Sequence, residues 1–113
     1  YWTAFPKSRI AKGIAKLKEI GDESEFASMD PDDIPFAVDD SVITTVIDGA
    51  AFTQAKFAAL TAHKTQVTTD SGFFALSNNL GLEIFSEEHF RLVRGKMPRS
   101  GQESDLFEGL NLV

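Results

Sequence analysis

The stretch Asp48–Gln66 reads DGAAFTQAKFAALTAHKTQ, a helix-period segment that carries a His, a Lys, a Thr and a Gln to its far end. Asp48 and Gly49 start the helix. Phe52, Ala55, Ala59 and Ala62 lie on one stripe, and Ala51, Ala58 and Leu60 broaden it, the pattern of an amphipathic helix. Immediately upstream, Ser41–Asp48 (SVITTVID) is dense in β-branched residues and reads as a half-buried strand. Its inner face is either Val42, Thr44 and Val46 or Ile43, Thr45 and Ile47; alternation alone does not choose.

Working outward, Tyr1 to Phe5 is short and aromatic and ends at Pro6, the pattern of a buried strand running into a turn. Ser8 is placed to cap a helix over residues 9–20, whose Ile10, Ile14 and Leu17 fall at i, i+4 and i+7, with Gly21 in the stop position. Residues 21–40 read as an acidic loop in which Phe26, Ile34 and Phe36 dock onto the body. Beyond Gln66 the chain turns polar, and Phe73 to Leu76 reads as a short helix or turn. His89–Arg94 (HFRLVR) alternates and reads as a strand, and Ser104 is placed to cap a last helical turn over Asp105–Gly109. About three short strands and two solid helices make a small α+β lobe, or an incomplete α/β sheet, that leans on another part of a larger protein. The opening on Tyr1 and Trp2, without an initiator Met, is read the same way: residues 1–113 form a single segment, the second half of something longer.

At 113 residues the chain holds one domain at most, and 42% hydrophobic with 25% charged residues is an ordinary globular composition. No apolar run approaches the roughly 18–20 residues of a membrane span, and no targeting segment stands out, so a soluble cytoplasmic protein is expected, without a membrane partner. Cysteine is absent, which removes disulfides, thiol nucleophiles and thiolate metal sites. The net charge of −6 is uneven: residues 22–40 carry eight carboxylates and no Lys or Arg, leaving +2 elsewhere. With its cations scattered, the chain has no footprint for nucleic acid.

Candidate chemistry is sparse. His89 beside Glu87 and Glu88 reads as a surface or packing residue. His63 ends the main helix, where carbonyls favour donor side chains; a capping role is the simpler reading and a place at a ligand site the sharper one. Gln66 offers both a donor and an acceptor without charge, which suits sugar hydroxyls, and equally suits a capping or bridging amide. A catalytic zinc needs three protein ligands and a base, a set this chain does not readily assemble. Asp30-Pro31-Asp32-Asp33 imitates a metal-binding His-Pro-Asp-Asp sequence but has Asp30 in place of the His. There is no nucleophile elbow and no phosphate loop.

The order Lys56, Ala59, Leu60, His63, Thr65, Gln66 on one helix, preceded by ITTVID (Ile43–Asp48) and followed by EEHFRLVRG (Glu87–Gly95), resembles the C-terminal half of the LmbE-like zinc-dependent N-deacetylases. The likeness is greatest to the branch that contains the N-acetylglucosaminyl-inositol deacetylase of mycothiol biosynthesis and the mycothiol conjugate amidase. YWTAFPKS (Tyr1–Ser8) resembles the strand and turn after that family's second zinc motif. The resemblance implies a Rossmann-like hydrolase whose A-H-P-D-D and H-P-D-H segments hold zinc and the general base. Neither segment is present, so zinc belongs to the parent protein and not to this chain alone, which has no catalytic or metal residues of its own. The resemblance leaves to this half a wall of the substrate pocket. Gln66 matches the Gln of the family's T-Q motif, which approaches the sugar; His63 is a second candidate for substrate contact, although it and Lys56 fit a structural role in the helix. The implied partners are the N-terminal half of the same protein, an amino-sugar substrate and, as a further expectation, a second copy of the protein. The competing reading is a non-catalytic α+β module that docks on a partner chain through its aromatic terminus.

Overall fold

Ile10, Ile14 and Leu17 form one apolar stripe, and the stripe becomes helix α1, Lys7–Glu19. In the computed structural model, which describes residues 1–67, 86–98 and 101–110, all three are buried. Ile34 packs with Ile10 and Ile14, flanked by Phe26, Met29 and Ala37, and Leu17 packs with Ala27 and Phe26. The helix begins two residues earlier than its spacing predicts, and Ser8 does not cap it. The N-cap is Pro6, and the Ser8 amide instead donates to Asp40 Oδ1 at 3.2 Å, setting a carboxylate against the positive helix end. At the other end Gly21 takes φ +72°. Its amide donates to the Lys18 carbonyl at 3.1 Å and that of Asp22 to Leu17 at 3.0 Å, a Schellman closure at the predicted stop.

The acidic stretch 21–40 is not one loop. It holds helix α2 (Glu25–Ser28), a 3-10 turn at Pro31–Asp33 and strand β3 (Ala37–Val38), and a second 3-10 turn spans Asp40–Val42. The carboxylates build these turns by accepting nearby amides: Asp22 from Ser24, Asp30 from Asp32 and Asp39 from Ser41, all at 2.8–2.9 Å. Hydrogen bonds from the Ser24 and Ser41 side chains, with these amides adding to them, hold the Asp22 and Asp39 carboxyls below the usual range. Ser24 Oγ caps α2 through the Ala27 amide.

Two small sheets complete the mixed α/β fold. Strands β1 (Trp2–Thr3), β4 (Thr45–Asp48) and β5 (Glu87–Arg91) form an antiparallel sheet in the order β1-β5-β4, and β2 (Phe5–Pro6) pairs in parallel with β3. Thr3 lies opposite Phe90, which lies opposite Thr45. The outer edge of β4 is met by Glu103, whose amide donates to the Thr44 carbonyl at 2.9 Å and whose carbonyl accepts from Val46 at 3.0 Å. The inner face of this segment is the odd one, with Ile43 and Thr45 buried.

Several expected elements are corrected. Tyr1–Phe5 is divided between two strands, and Trp2 is 65% exposed rather than buried. The strand expected over Ser41–Asp48 loses its first half to the second 3-10 turn, and β5 lies two residues upstream of its predicted start. The main helix is α3, Thr53–Ala62, preceded by a 3-10 turn at Ala50–Phe52. Its sheltered positions are Lys56, Phe57, Leu60 and Thr61, while Phe52 and the alanines of the expected stripe are exposed. At the end of the chain Asp105, not Ser104, accepts the Phe107 amide that opens the last turn. The turn expected at Phe73–Leu76 lies outside the described residues.

Leu17→Ala should cost about 2–5 kcal/mol, because Leu17 is fully buried. Gly21→Ala should cost about 1 kcal/mol through its backbone alone, since a Cβ there meets nothing within 4 Å. Urea unfolding of each variant measures both.

Candidate functional site

Where the chain start, α1 and β5 converge, they leave a cavity of about 290 Å³. Its walls are Thr3–Pro6, Ile10 and Gly13 of α1, Phe26, Phe36 and residues Glu87–Phe90 of β5. Phe5 and Phe36 meet edge to face with centroids 5.5 Å apart, a favoured aromatic geometry.

The charged residues that line the cavity are paired. Arg9 Nη1 lies 3.5 Å from Glu87 Oε2, and Lys56 Nζ lies 2.8 Å from Glu88 Oε1. His89 Nε2 is 3.6 Å from the same Glu87 oxygen, with its side chain only 12% exposed. Burial is the main cause that lowers the His89 pKa below 6.5, and the Arg9 charge adds to it against the opposing pull of Glu87 and Asp40. The imidazole is therefore neutral at pH 7, and the two cations and two carboxylates cancel. Lys56 passes over Gly49, where a Cβ would fall 2.8 Å from its ammonium, and the Gly49 amide is fixed on the Ser86 carbonyl at 2.6 Å.

A second polar group lies on the sheet. Glu103 is 1% exposed, and its Oε2 accepts from the Tyr1 hydroxyl at 2.8 Å and from Thr45 Oγ1 at 2.6 Å. The bond to Glu103 raises the Tyr1 phenol pKa. Glu103 Oε1 is enclosed without a hydrogen-bond partner.

Of the residues singled out in the sequence, Lys56 lines the cavity; His63 and Gln66 do not. His63 is the C-cap of α3, with its amide on the Leu60 carbonyl at 3.1 Å. The His63 carbonyl accepts from both Gln66 (3.0 Å) and Val67 (2.9 Å), which fixes the turn that carries Gln66. Both side chains are exposed. The capping function thus falls to the His63 backbone. His89, read as a surface or packing residue, proves to be a sheltered wall of the cavity. The Glu87/His89 alternation in β5 was the available signal, and Arg9, eighty positions away, could not be joined to it from sequence. Among the described residues no three His, Cys, Asp or Glu side chains are grouped to hold a metal ion. Asp30 and Asp32 of the His-Pro-Asp-Asp imitation are engaged, Asp30 with a backbone amide and Asp32 with Lys7 at 2.7 Å. No helix among the described residues is long and apolar enough to cross a membrane.

No family profile and no solved structure matches the chain. Among curated proteins it is similar to the 1D-myo-inositol 2-acetamido-2-deoxy-alpha-D-glucopyranoside deacetylase of Geodermatophilus obscurus, 50% identical over 112 residues, which is 97% of this chain and 38% of the relative. The protein of the same name from Acidothermus cellulolyticus is 47% identical over 116 residues, 100% of this chain and 40% of the relative. The deacetylase 1 of Catenulispora acidiphila is 44% identical, over 100% of this chain and 36% of the relative. The chain therefore spans well under half the length of these relatives.

Because the His89 pKa is depressed on folding, the unfolded chain binds a proton more readily as pH falls below about 6.5. Stability should hold above that pH and fall as the pH drops below it, and His89→Gln should flatten this part of the curve. Urea midpoints at half-unit pH steps test it; identical slopes in the two proteins would remove the buried imidazole as the cause.

Proposed function

We propose that this chain is a segment of a protein of the inositol acetylglucosaminide deacetylase family, and that the full-length protein removes the acetyl group from an N-acetylglucosamine joined to inositol. The observation that carries this reading is 50% identity over 97% of the chain with a protein of that name. In the resemblance noted from sequence, this is the C-terminal part of a Rossmann-like, LmbE-like cytoplasmic hydrolase of mycothiol biosynthesis.

The division of labour is the one that the resemblance implies. It has no Cys and two His, one at the end of α3 and one in β5, and its described residues do not fit a zinc site. A zinc ion of the full-length enzyme is held by residues outside this segment, together with the base that the hydrolysis requires. This segment contributes packing surface and one wall of the substrate pocket.

Within that wall Gln66 is the substrate contact. Its support is geometric as well as by resemblance: the turn that carries it is held by two backbone bonds to the His63 carbonyl, so an exposed side chain starts from a fixed backbone. A neutral amide there can donate to one sugar hydroxyl and accept from another without attracting a counter-ion. His63 serves chiefly as the frame of the turn.

The test uses the full-length protein and acetate release from inositol-linked N-acetylglucosamine. Gln66→Ala should lower kcat/KM by about tenfold, the size of one or two lost hydrogen bonds, with the melting temperature unchanged. Wild-type kinetics in that variant would remove Gln66 from the pocket. No acetate release by the intact protein would overturn the deacetylase reading and leave the docking module as its replacement.

A further inference from the structure

The two outer edges of the three-stranded sheet are finished differently. On β4, Glu103 pairs with Thr44 and Val46 and closes the edge from within the chain. Among the described residues the ladder on β1 is one-sided. The Ala4 amide points inward to the His89 carbonyl at 2.9 Å, and backbone groups alternate along a strand, so the N–H and C=O of Thr3 face outward. The strand that follows, β2, is covered on its own account by β3, which leaves the open stretch at Tyr1–Thr3. An unpaired edge flanked by exposed aromatics is a template for another strand. Trp2, Phe5 and Phe36 are all among the exposed large hydrophobics.

The cavity opens beside this edge and shares Thr3, Phe5 and Phe36 with it. Its charged residues are already balanced in the Arg9–Glu87 and Lys56–Glu88 pairs, so an occupant that brought its own charge would gain nothing. An uncharged apolar side chain fits.

We infer that the open edge of β1 and the apolar cavity beside it are one docking face for the rest of the full-length protein, which adds a strand along Thr3 and seats an apolar side chain against Phe5, Ile10 and Phe36. The occupant is argued from length and position. The relatives continue for more than half their length beyond this segment, and the C-terminal placement taken in the proposed function puts that polypeptide ahead of β1, next to the open edge. The inference rests on the reading of the chain as a segment of a deacetylase, and its test is independent of turnover.

Backbone amide exchange in the full-length protein reads the face directly. The Thr3 amide should be protected to within about tenfold of the Ala4 amide, at every protein concentration. Thr3→Pro, which removes the outward N–H and leaves the inward bonds to β5 in place, should lower the melting temperature, whereas Thr3→Val should not. A Thr3 amide exchanging at the free-chain rate while Ala4 is protected more than 100-fold would overturn the inference even in an active deacetylase. Protection that vanishes on dilution would overturn it as well, by making a second copy the occupant. A protected Thr3 in a protein that releases no acetate would uphold the docking face and sink only the deacetylase reading.

Discussion

Strand β5 is hydrogen-bonded on both sides, and its register lays out everything else. Val46 faces His89 and Ile47 faces Glu88 across one ladder, while Trp2 faces Arg91 across the other. Side chains alternate along a strand, so a slip of one residue would exchange Glu87 and His89 for Glu88 and Phe90. Arg9 would then lose Glu87, Lys56 would lose Glu88, and the imidazole would leave the cavity wall. The register is pinned at both ends. Thr44 Oγ1 accepts the Leu92 amide at 2.7 Å, and the Ser86 carbonyl accepts the Gly49 amide at 2.6 Å.

What was legible in the sequence is what local spacing determines. Ile10, Ile14 and Leu17 with Gly21 behind them define α1 because a deep stripe and a left-handed stop agree. The acidic stretch was opaque because a carboxylate that accepts an amide two residues on looks, in sequence, like a solvated charge; Asp22, Asp30 and Asp39 each build a turn. On α3 the period was right and the face wrong. An alanine-rich helix has apolar residues on several sides, and the bulk of Phe57 and Leu60 chose the sheltered one. The family was legible from one helix and its flanking strands, whereas the cavity was not, since Arg9, Lys56 and His89 meet only in three dimensions.

The cavity and the His63–Gln66 turn present opposite kinds of surface. The cavity is aromatic and aliphatic with its charges paired, conditions that suit protein side chains better than a polyhydroxylated ligand, whose groups would have to compete with the ion pairs already formed. The turn carries an exposed neutral amide on a fixed backbone, the opposite condition. Lys56 joins the two, because α3 sets its ammonium on Glu88 of β5 and carries the turn at its end. Tilting α3 would therefore move Gln66 and open the side of the cavity together.

Among the described residues Glu103 closes one edge of the three-stranded sheet. A buried carboxylate with one oxygen unsatisfied is retained where the geometry it enforces matters more than its burial. Here Oε2 gathers Tyr1 and Thr45, and the backbone of the same residue pairs along β4. One residue thus closes the far edge and ties the first residue of the chain across β5 to it. With β4 closed and Tyr1 held, β1 is fixed in the extended form that an added strand requires. The tether that closes the edge of β4 thus also fixes the start of β1.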